Sequence, residues 1–167
     1  MAVAPNGNVY VTECNDRVQY FTAAGSFLGK WGSYGSGNGQ FDSPDGVAVS
    51  SNGNVYVVDS NNDRVQYFTA TGSYLGKWGS EGYGNGQFHY PGGVAGAPNG
   101  DVFVTDYLNN RTQYFTATGS FLGKWGTLGV RKSQFDGPCG ITLSNDGKRV
   151  YVTEWDNHRI QYFKKRN

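Results

Sequence analysis

The sequence predicts an all-β fold of repeated four-stranded antiparallel sheets, and three observations predict it. The first is self-similarity. The stretch Gly53–Gly79 reads GNVYVVDSNNDRVQYFTATGSYLGKWG, near-copies occupy Gly7–Gly32 and Gly100–Gly126, and a shorter copy runs Gly147–Phe163. Trp31, Trp78 and Trp125 stand 47 residues apart, as do Arg17, Arg64 and Arg111. Repeats of that length build propellers, solenoids or arrays. The second is composition: 26 glycines and 16% aromatic residues in 167 recur at fixed offsets, the makeup of blade-type architecture. The third is the alternation of short apolar runs with Asn-Gly, Asp-Gly and Thr-Gly turns, without a 3.6-residue period. Together they predict a β-propeller domain over residues 1–167, with repeats at approximately 1–36, 37–83, 84–130 and 131–167.

Each unit reads in the same order. A first strand is expected at Val47–Val49, Val94–Gly96 and Ile141–Leu143, and its last residues reappear in Met1–Ala4. The turns at Asn6-Gly7, Asn52-Gly53, Asn99-Gly100 and Asp146-Gly147 supply positive φ and should join antiparallel strands. The second strand, Val9–Val11, Val55–Val58, Val102–Val104 or Val150–Val152, runs into an acidic residue. After a polar turn the third strand follows as Arg17–Phe21, Arg64–Phe68, Arg111–Phe115 and Arg159–Phe163. The Ala24-Gly25, Thr71-Gly72 and Thr118-Gly119 turns lead to fourth strands at Phe27–Trp31, Tyr74–Trp78 and Phe121–Trp125. Apolar residues fill both phases of the third strand, which suits a sheet covered on both faces by stacked neighbours.

Charge and cysteine content narrow the function classes. A net charge of +1 gives no whole-molecule attraction to nucleic acid or membrane. No apolar run reaches transmembrane length, and the start reads directly into repeat sequence rather than into a secretory signal. Cys14 and Cys139 are too few for a disulfide framework, so composition leaves the compartment open.

The words themselves are specific. GNGQFDSPDGVAVSSNGNVYVVDSNNDRVQYFTATGSYLGKWG, from Gly37 to Gly79, resembles the NHL repeat in nearly every signature position, and four imperfect copies in tandem extend the resemblance over essentially the whole chain. The resemblance implies a β-propeller, commonly of six blades, that binds protein, or RNA in some relatives, and rarely carries chemistry. Here the first copy lacks most of its first strand and the last lacks its fourth, so the two ends do not complete one blade. Strand Arg159–Phe163 is then expected to be an open edge, with Lys164, Lys165 and Arg166 beside it discouraging further pairing. Closure is expected through a homo-oligomer, a dimer favoured, since two chains of four blades give a plausible ring. An open arc and a piece of a longer propeller are the alternatives.

Antiparallel topology places the turns between second and third strands on the same face as the long connections between blades. That face varies between copies, and variable loops over a constant scaffold are where binding residues sit. It carries Tyr34, Tyr83, His89, Tyr90, Tyr107, Arg131, Trp155 and His158, the candidate binding residues for a protein or peptide. The acid and arginine pairs Glu13/Arg17, Asp59/Arg64, Asp106/Arg111 and Glu154/Arg159 recur in every unit and straddle one turn, which assigns them a structural role. The Gln-Phe pairs before each proline read as packing elements, as do the Lys-Trp pairs of the outer strands.

No catalytic residue, metal site or cofactor is assigned. His89 and His158 are the only histidines, and no metalloprotease or Cys-x-x-Cys spacing occurs. Cys139, near the mouth of the channel, would need a base in reach to act as a nucleophile. The alternatives in other classes are a metal-dependent propeller hydrolase or lyase, an RNA-binding propeller, and an amplified or engineered repeat without a dedicated ligand. RNA fits poorly, because Arg131, Lys132 and His158 share their face with Asp16, Asp42, Asp63, Glu81, Asp136 and Asp156.

Overall fold

The computed structural model describes residues 1–164, which form four antiparallel sheets side by side. Blade 1 contains β1 (Ala2–Val3), β2 (Val9–Glu13), β3 (Arg17–Phe21) and β4 (Phe27–Trp31). Blade 2 contains β5 (Pro44–Val49), β6 (Val55–Asp59), β7 (Arg64–Phe68) and β8 (Tyr74–Trp78). Blade 3 contains β9 (Pro91–Gly96), β10 (Val102–Asp106), β11 (Arg111–Phe115) and β12 (Phe121–Trp125). Blade 4 contains β13 (Pro138–Leu143), β14 (Arg149–Glu154) and β15 (Arg159–Lys164), and among the described residues it has no fourth strand. In every blade the strands pair in chain order. The expected basic flank of β15 is described only at Lys164; Lys165 and Arg166 lie outside the described residues.

Two local differences from the sequence reading have physical causes. First strands begin at the proline rather than at the valine three residues on. A bulge between Pro44 and Val47 lets Pro44 pair with Asp59 before the regular register Val47↔Val57 sets in, and β13 repeats this at Pro138↔Glu154. The Asn-Gly turns place only their glycine at positive φ, +86° at Gly53, and Asn52 stays on the negative side. The Gly53 N–H donates to the Ser50 carbonyl at 2.9 Å and the Ser50 N–H to the Asn54 carbonyl at 3.0 Å, a turn capped by one left-handed residue.

Three apolar clusters hold the blades together, one at each junction. At the junction of blades 1 and 2, Tyr10, Val18, Tyr20 and Trp31 of one blade meet Val47, Val55, Val57 and Phe68 of the next, with Phe41 inserted from the connection. Trp31 lies 5.6 Å from Phe68 by ring centroid, Trp78 5.6 Å from Phe115, and Trp125 5.5 Å from Phe163. Tilted aromatic contacts of this kind add to the area they bury. Tyr10 and Tyr56 also tie successive blades, donating to the Ala70 and Ala117 carbonyls at 2.9 and 3.0 Å.

The inner strands line a central channel, where blades approach most closely. A Cβ at Gly46 would lie 2.6 Å from the Gly92 carbonyl oxygen and 2.9 Å from the Val94 nitrogen, so only glycine fits. Burial follows position in the array. The middle strand β6 is buried at all five residues, whereas β15 alternates half-buried and exposed positions because its far face has no neighbour. The two-sided apolar content of the third strand is thus matched by covering only in the interior blades.

Candidate binding face

The turns between second and third strands and the connections between blades form one continuous surface, joined by main-chain hydrogen bonds. The Asn61 N–H donates to the Asp42 carbonyl at 3.2 Å, the Leu108 N–H to the His89 carbonyl at 3.1 Å, and the Trp155 N–H to the Gly137 carbonyl at 2.9 Å.

Beneath that surface the acid and arginine pairs organise the connections. Asp59 and Asp106 are fully buried and lie 2.7 Å from the Nε of Arg64 and Arg111. The rest of each guanidinium reaches into the connection before its own blade. Arg64 donates to the Ser36, Gly37 and Gln40 carbonyls, and Arg111 to those of Tyr83, Gly84 and Gln87. Arg159 does the same with Val130, Arg131 and Gln134. The acids meanwhile receive main-chain N–H groups, Asp42 on Asp59 and His89 on Asp106, both at 2.8 Å. Burial acts to raise the Glu154 carboxyl, but hydrogen bonds from Arg159, Asn157, Gln161 and the Asp136 N–H outweigh it and hold Glu154 below the usual carboxylate range. In blade 1 the pair Glu13/Arg17 sits at 2.5 Å and both side chains are partly exposed. In blades 2 to 4 these contacts stabilise main chain, and in all four blades the acid is paired with its arginine.

A second clamp was not read from the sequence. Asp16, Asp63 and Asn110 each adopt positive φ, and their side-chain oxygens accept the N–H of Ser43, Tyr90 and Gly137 in the following connection, at 2.9, 2.7 and 3.1 Å. Asp and Asn tolerate left-handed backbone better than most residues, and their 47-residue spacing was the available signal. His158 holds the same place in blade 4 with φ 48°. Burial pushes the Asp63 carboxyl above its ordinary value, with the Tyr90 N–H opposing.

The aromatic residues stand on this fixed backbone. Tyr83 and His89 form an edge-to-face pair at 6.0 Å, and Tyr90 and Tyr107 a second at 6.4 Å. The Tyr107 hydroxyl reaches Asp156 at 3.5 Å, and desolvation followed by the Asp156 charge pushes the phenol up. Tyr83 is 75% and Trp155 69% exposed. Tyr34 and Arg131 are exposed on separate connections, and His158 is exposed at its turn, so the structure gathers four of the eight candidates into two pairs.

At the channel mouth Asp45, Gly92 and Cys139 occupy equivalent positions and share a cavity wall. The Asp45 side chain reaches solvent, yet surrounding protein strips enough water from it to raise its carboxyl. The Cys139 thiol lies 3.2 Å from the Thr153 hydroxyl. Among the described residues no group of three or more His, Cys, Asp or Glu side chains is placed to hold a metal ion. Among the described residues no helix is long and apolar enough to cross a membrane.

The sheets, junctions and channel define a chain of β-propeller blades. Residues 41–68, which run from the buried Phe41 through β5, β6 and β7, match the family model of the NHL repeat, in keeping with an NHL-repeat β-propeller. No curated protein matches the chain in sequence. Among solved structures, the hydrazine synthase of Kuenenia stuttgartiensis is similar at TM-score 0.73 and 15% identity, over 98% of this chain and 44% of that one. A streptogramin B lyase is similar at TM-score 0.66 and 20% identity, over 97% and 52%. The virginiamycin B lyase of Staphylococcus aureus is similar at TM-score 0.63 and 20% identity, over 97% and 53%. The chain spans about half the length of the solved structures it matches, and at these identities the likeness is one of fold.

Proposed function

We propose that the chain is a non-enzymatic binding scaffold that captures a protein or peptide on its loop-rich face. The carrying observation is that the exposed and half-buried aromatic residues there project from main chain already fixed by buried or half-buried side chains. Tyr83 has its carbonyl held by Arg111, His89 its N–H by Asp106, and Tyr90 its N–H by Asp63. Rigid aromatic anchors lose little conformational entropy on binding, which is what makes such side chains effective at interfaces. The test is binding of partners captured by the intact chain to Tyr90→Ala, Tyr107→Ala and Trp155→Ala variants. A loss of tenfold or more in at least one supports the reading; unchanged affinity in all three rejects the face.

A second element of the proposal is self-association, and a separate observation favours it. The outer face of blade 4 presents Tyr151, Ile160 and Tyr162, the counterparts of Tyr10, Val18 and Tyr20, which blade 2 covers. Blade 1 presents Val9, Val11 and Phe21, the counterparts of the buried Val55, Val57 and Phe68. Val18 is 0% exposed and Ile160 68% exposed. Two faces that match one another inside the chain are uncovered among the described residues, and a head-to-tail contact between copies would cover both. Light scattering across a concentration series should give a mass above the monomer that Ile160→Asp returns to monomer. A monomeric parent at every concentration rejects this element and leaves the loop-face reading standing.

A further inference from the structure

Blade 3 carries a pair of side chains that its neighbours lack. The residue before each inner strand is Ser43, Tyr90 or Gly137, with φ of 57°, 56° and 61°. The residue after each buried acid is Ser60, Tyr107 or Trp155. Blade 2 thus has two serines at these places and blade 3 two tyrosines. Left-handed backbone is unusual under a bulky side chain, and such outliers collect where function requires them. Packing does not account for Tyr90, which is 42% exposed while its N–H is held by Asp63 at 2.7 Å.

A carboxylate joins the pair across the junction with blade 4. In blade 2 the Ser60 hydroxyl donates to the Pro91 carbonyl of the next blade. Tyr107 instead lies against Gly137: a Cβ there would stand 3.0 Å from its Cε2 and 2.5 Å from Asp156 Oδ2. The missing side chain is what lets ring and carboxylate meet. The Tyr107 hydroxyl faces Asp156 at 3.5 Å, and its ring meets that of Tyr90 at 6.4 Å and 67°. Among the described residues the ion pairs are the four between acid and arginine, and Asp156 is in none of them. Its counterparts Asn61 and Leu108, in blades with a neighbour on each side, are exposed as Asp156 is, so the place itself is open to solvent.

We propose that Tyr90, Tyr107 and Asp156 form a site for an arginine side chain of a bound peptide, an inference that rests on the loop-face reading above. Aromatic faces carry negative charge density that attracts a cation. A guanidinium is planar and weakly hydrated, so it stacks on a ring while its N–H groups reach a carboxylate; a compact, strongly hydrated ammonium does this less well. The two inclined rings give the guanidinium a wall, and Asp156 supplies the counter-charge. Asp136, next to Gly137, adds to it, since its charge acts on the Tyr107 phenol in the same direction as that of Asp156. Neutral and acidic side chains find no such complement here.

The probe is N-acetyl-arginine methylamide, titrated into the full chain labelled with nitrogen-15. Amide shifts should saturate at Tyr90, Tyr107, Gly137 and Asp156. The citrulline analogue, which keeps the shape and loses the charge, should bind about tenfold or more weakly. Asp156→Asn should cost about fivefold, and so should Tyr107→Ser, which installs the residue that blade 2 carries at that place. Tyr107→Phe keeps the ring and should stay within about twofold of the parent. Glu81→Gln removes another exposed acid of the same face and should also stay within about twofold. Absence of saturable shifts at these amides, equal affinity for the citrulline analogue, or a cost for Glu81→Gln as large as that for Asp156→Asn would each overturn the proposal. If captured partners lose affinity for Tyr90→Ala while Asp156→Asn binds both them and the probe as the parent does, the arginine site fails and the loop-face reading stands.

Discussion

Replacing Asp106 by asparagine should separate a buried, organising carboxylate from an ordinary ion pair. Asp106 is fully buried and receives four donors: the His89 N–H at 2.8 Å, Asn109 at 2.9 Å, Arg111 Nε at 2.7 Å and Gln113 at 3.2 Å. Two of these have a second acceptor, since Asn109 also reaches the Gly82 carbonyl and Gln113 the Gln87 carbonyl. The Arg111 Nε–H and the His89 N–H do not share that relief. An asparagine amide offers one oxygen, so one side of the group meets donor with donor and the guanidinium loses its counter-charge. At about 1–3 kcal/mol for each orphaned buried donor, and about 3–5 kcal/mol for breaking a buried pair, the loss should be about 3–5 kcal/mol. The control is Glu13→Gln, whose partly exposed pair is worth about 0–1 kcal/mol. Guanidinium unfolding of the parent and both variants measures the difference directly. A cost for Asp106→Asn no larger than that for Glu13→Gln would refute the idea that these units hold the connections.

Three further predictions follow from geometry already described. Gly46→Ala drives a Cβ against main-chain atoms of blade 3 that cannot rotate away, so stability should fall by about 1–3 kcal/mol in the same unfolding assay. Glu154 has a folded value below its unfolded one, so its contribution is present above the ordinary glutamate range and is lost as pH falls through the lower folded value. The stability gap between the parent and Glu154→Gln should therefore close in acid, and a gap independent of pH would contradict the assignment. Asp45 and Asp63 act in the opposite sense, because burial raises both carboxyls and their protonation favours the folded chain as pH falls through those raised values.

The repeat made the scaffold legible, while the site was legible only as a surface. In blades 1 to 3 the third and fourth strands were readable to the residue, because a glycine turn separates them and they repeat without change of length, whereas β15 runs one residue further, to Lys164. The start of the first strand was not, because Pro44 pairs with Asp59 only through a bulge that leaves no mark in the local pattern. On the loop face, antiparallel topology alone assigned Tyr83, His89, Tyr90 and Tyr107 to one side. Their pairing depends on the folded path of one connection, which brings His89 back to Tyr83 and sets Tyr90 beside Tyr107 of the next turn. The left-handed clamp was missed for a related reason. Asp63 reads locally as a turn residue, and its partner, the Tyr90 N–H, is 27 residues away.

The clamps and arginine units share one property that explains how the loops differ over a constant frame. Nearly everything that they hold in the connections is main chain: the carbonyls of Ser36, Gly37 and Gln40, of Tyr83, Gly84 and Gln87, of Val130, Arg131 and Gln134, and the N–H groups that follow. A carbonyl is the same whichever side chain sits beside it, so the frame constrains the path of the loop and leaves its chemistry free. Tyr34, Glu81 and Leu128 occupy one equivalent place, and Ser36, Tyr83 and Val130 another. It follows that Leu128→Glu with Val130→Tyr, both at exposed positions, should copy the surface of the preceding connection onto blade 4 at a cost within about 0.5 kcal/mol. Unfolding midpoints measure that cost. A loss above about 2 kcal/mol would mean that the side chains, and not the backbone clamps, determine the path of the loop.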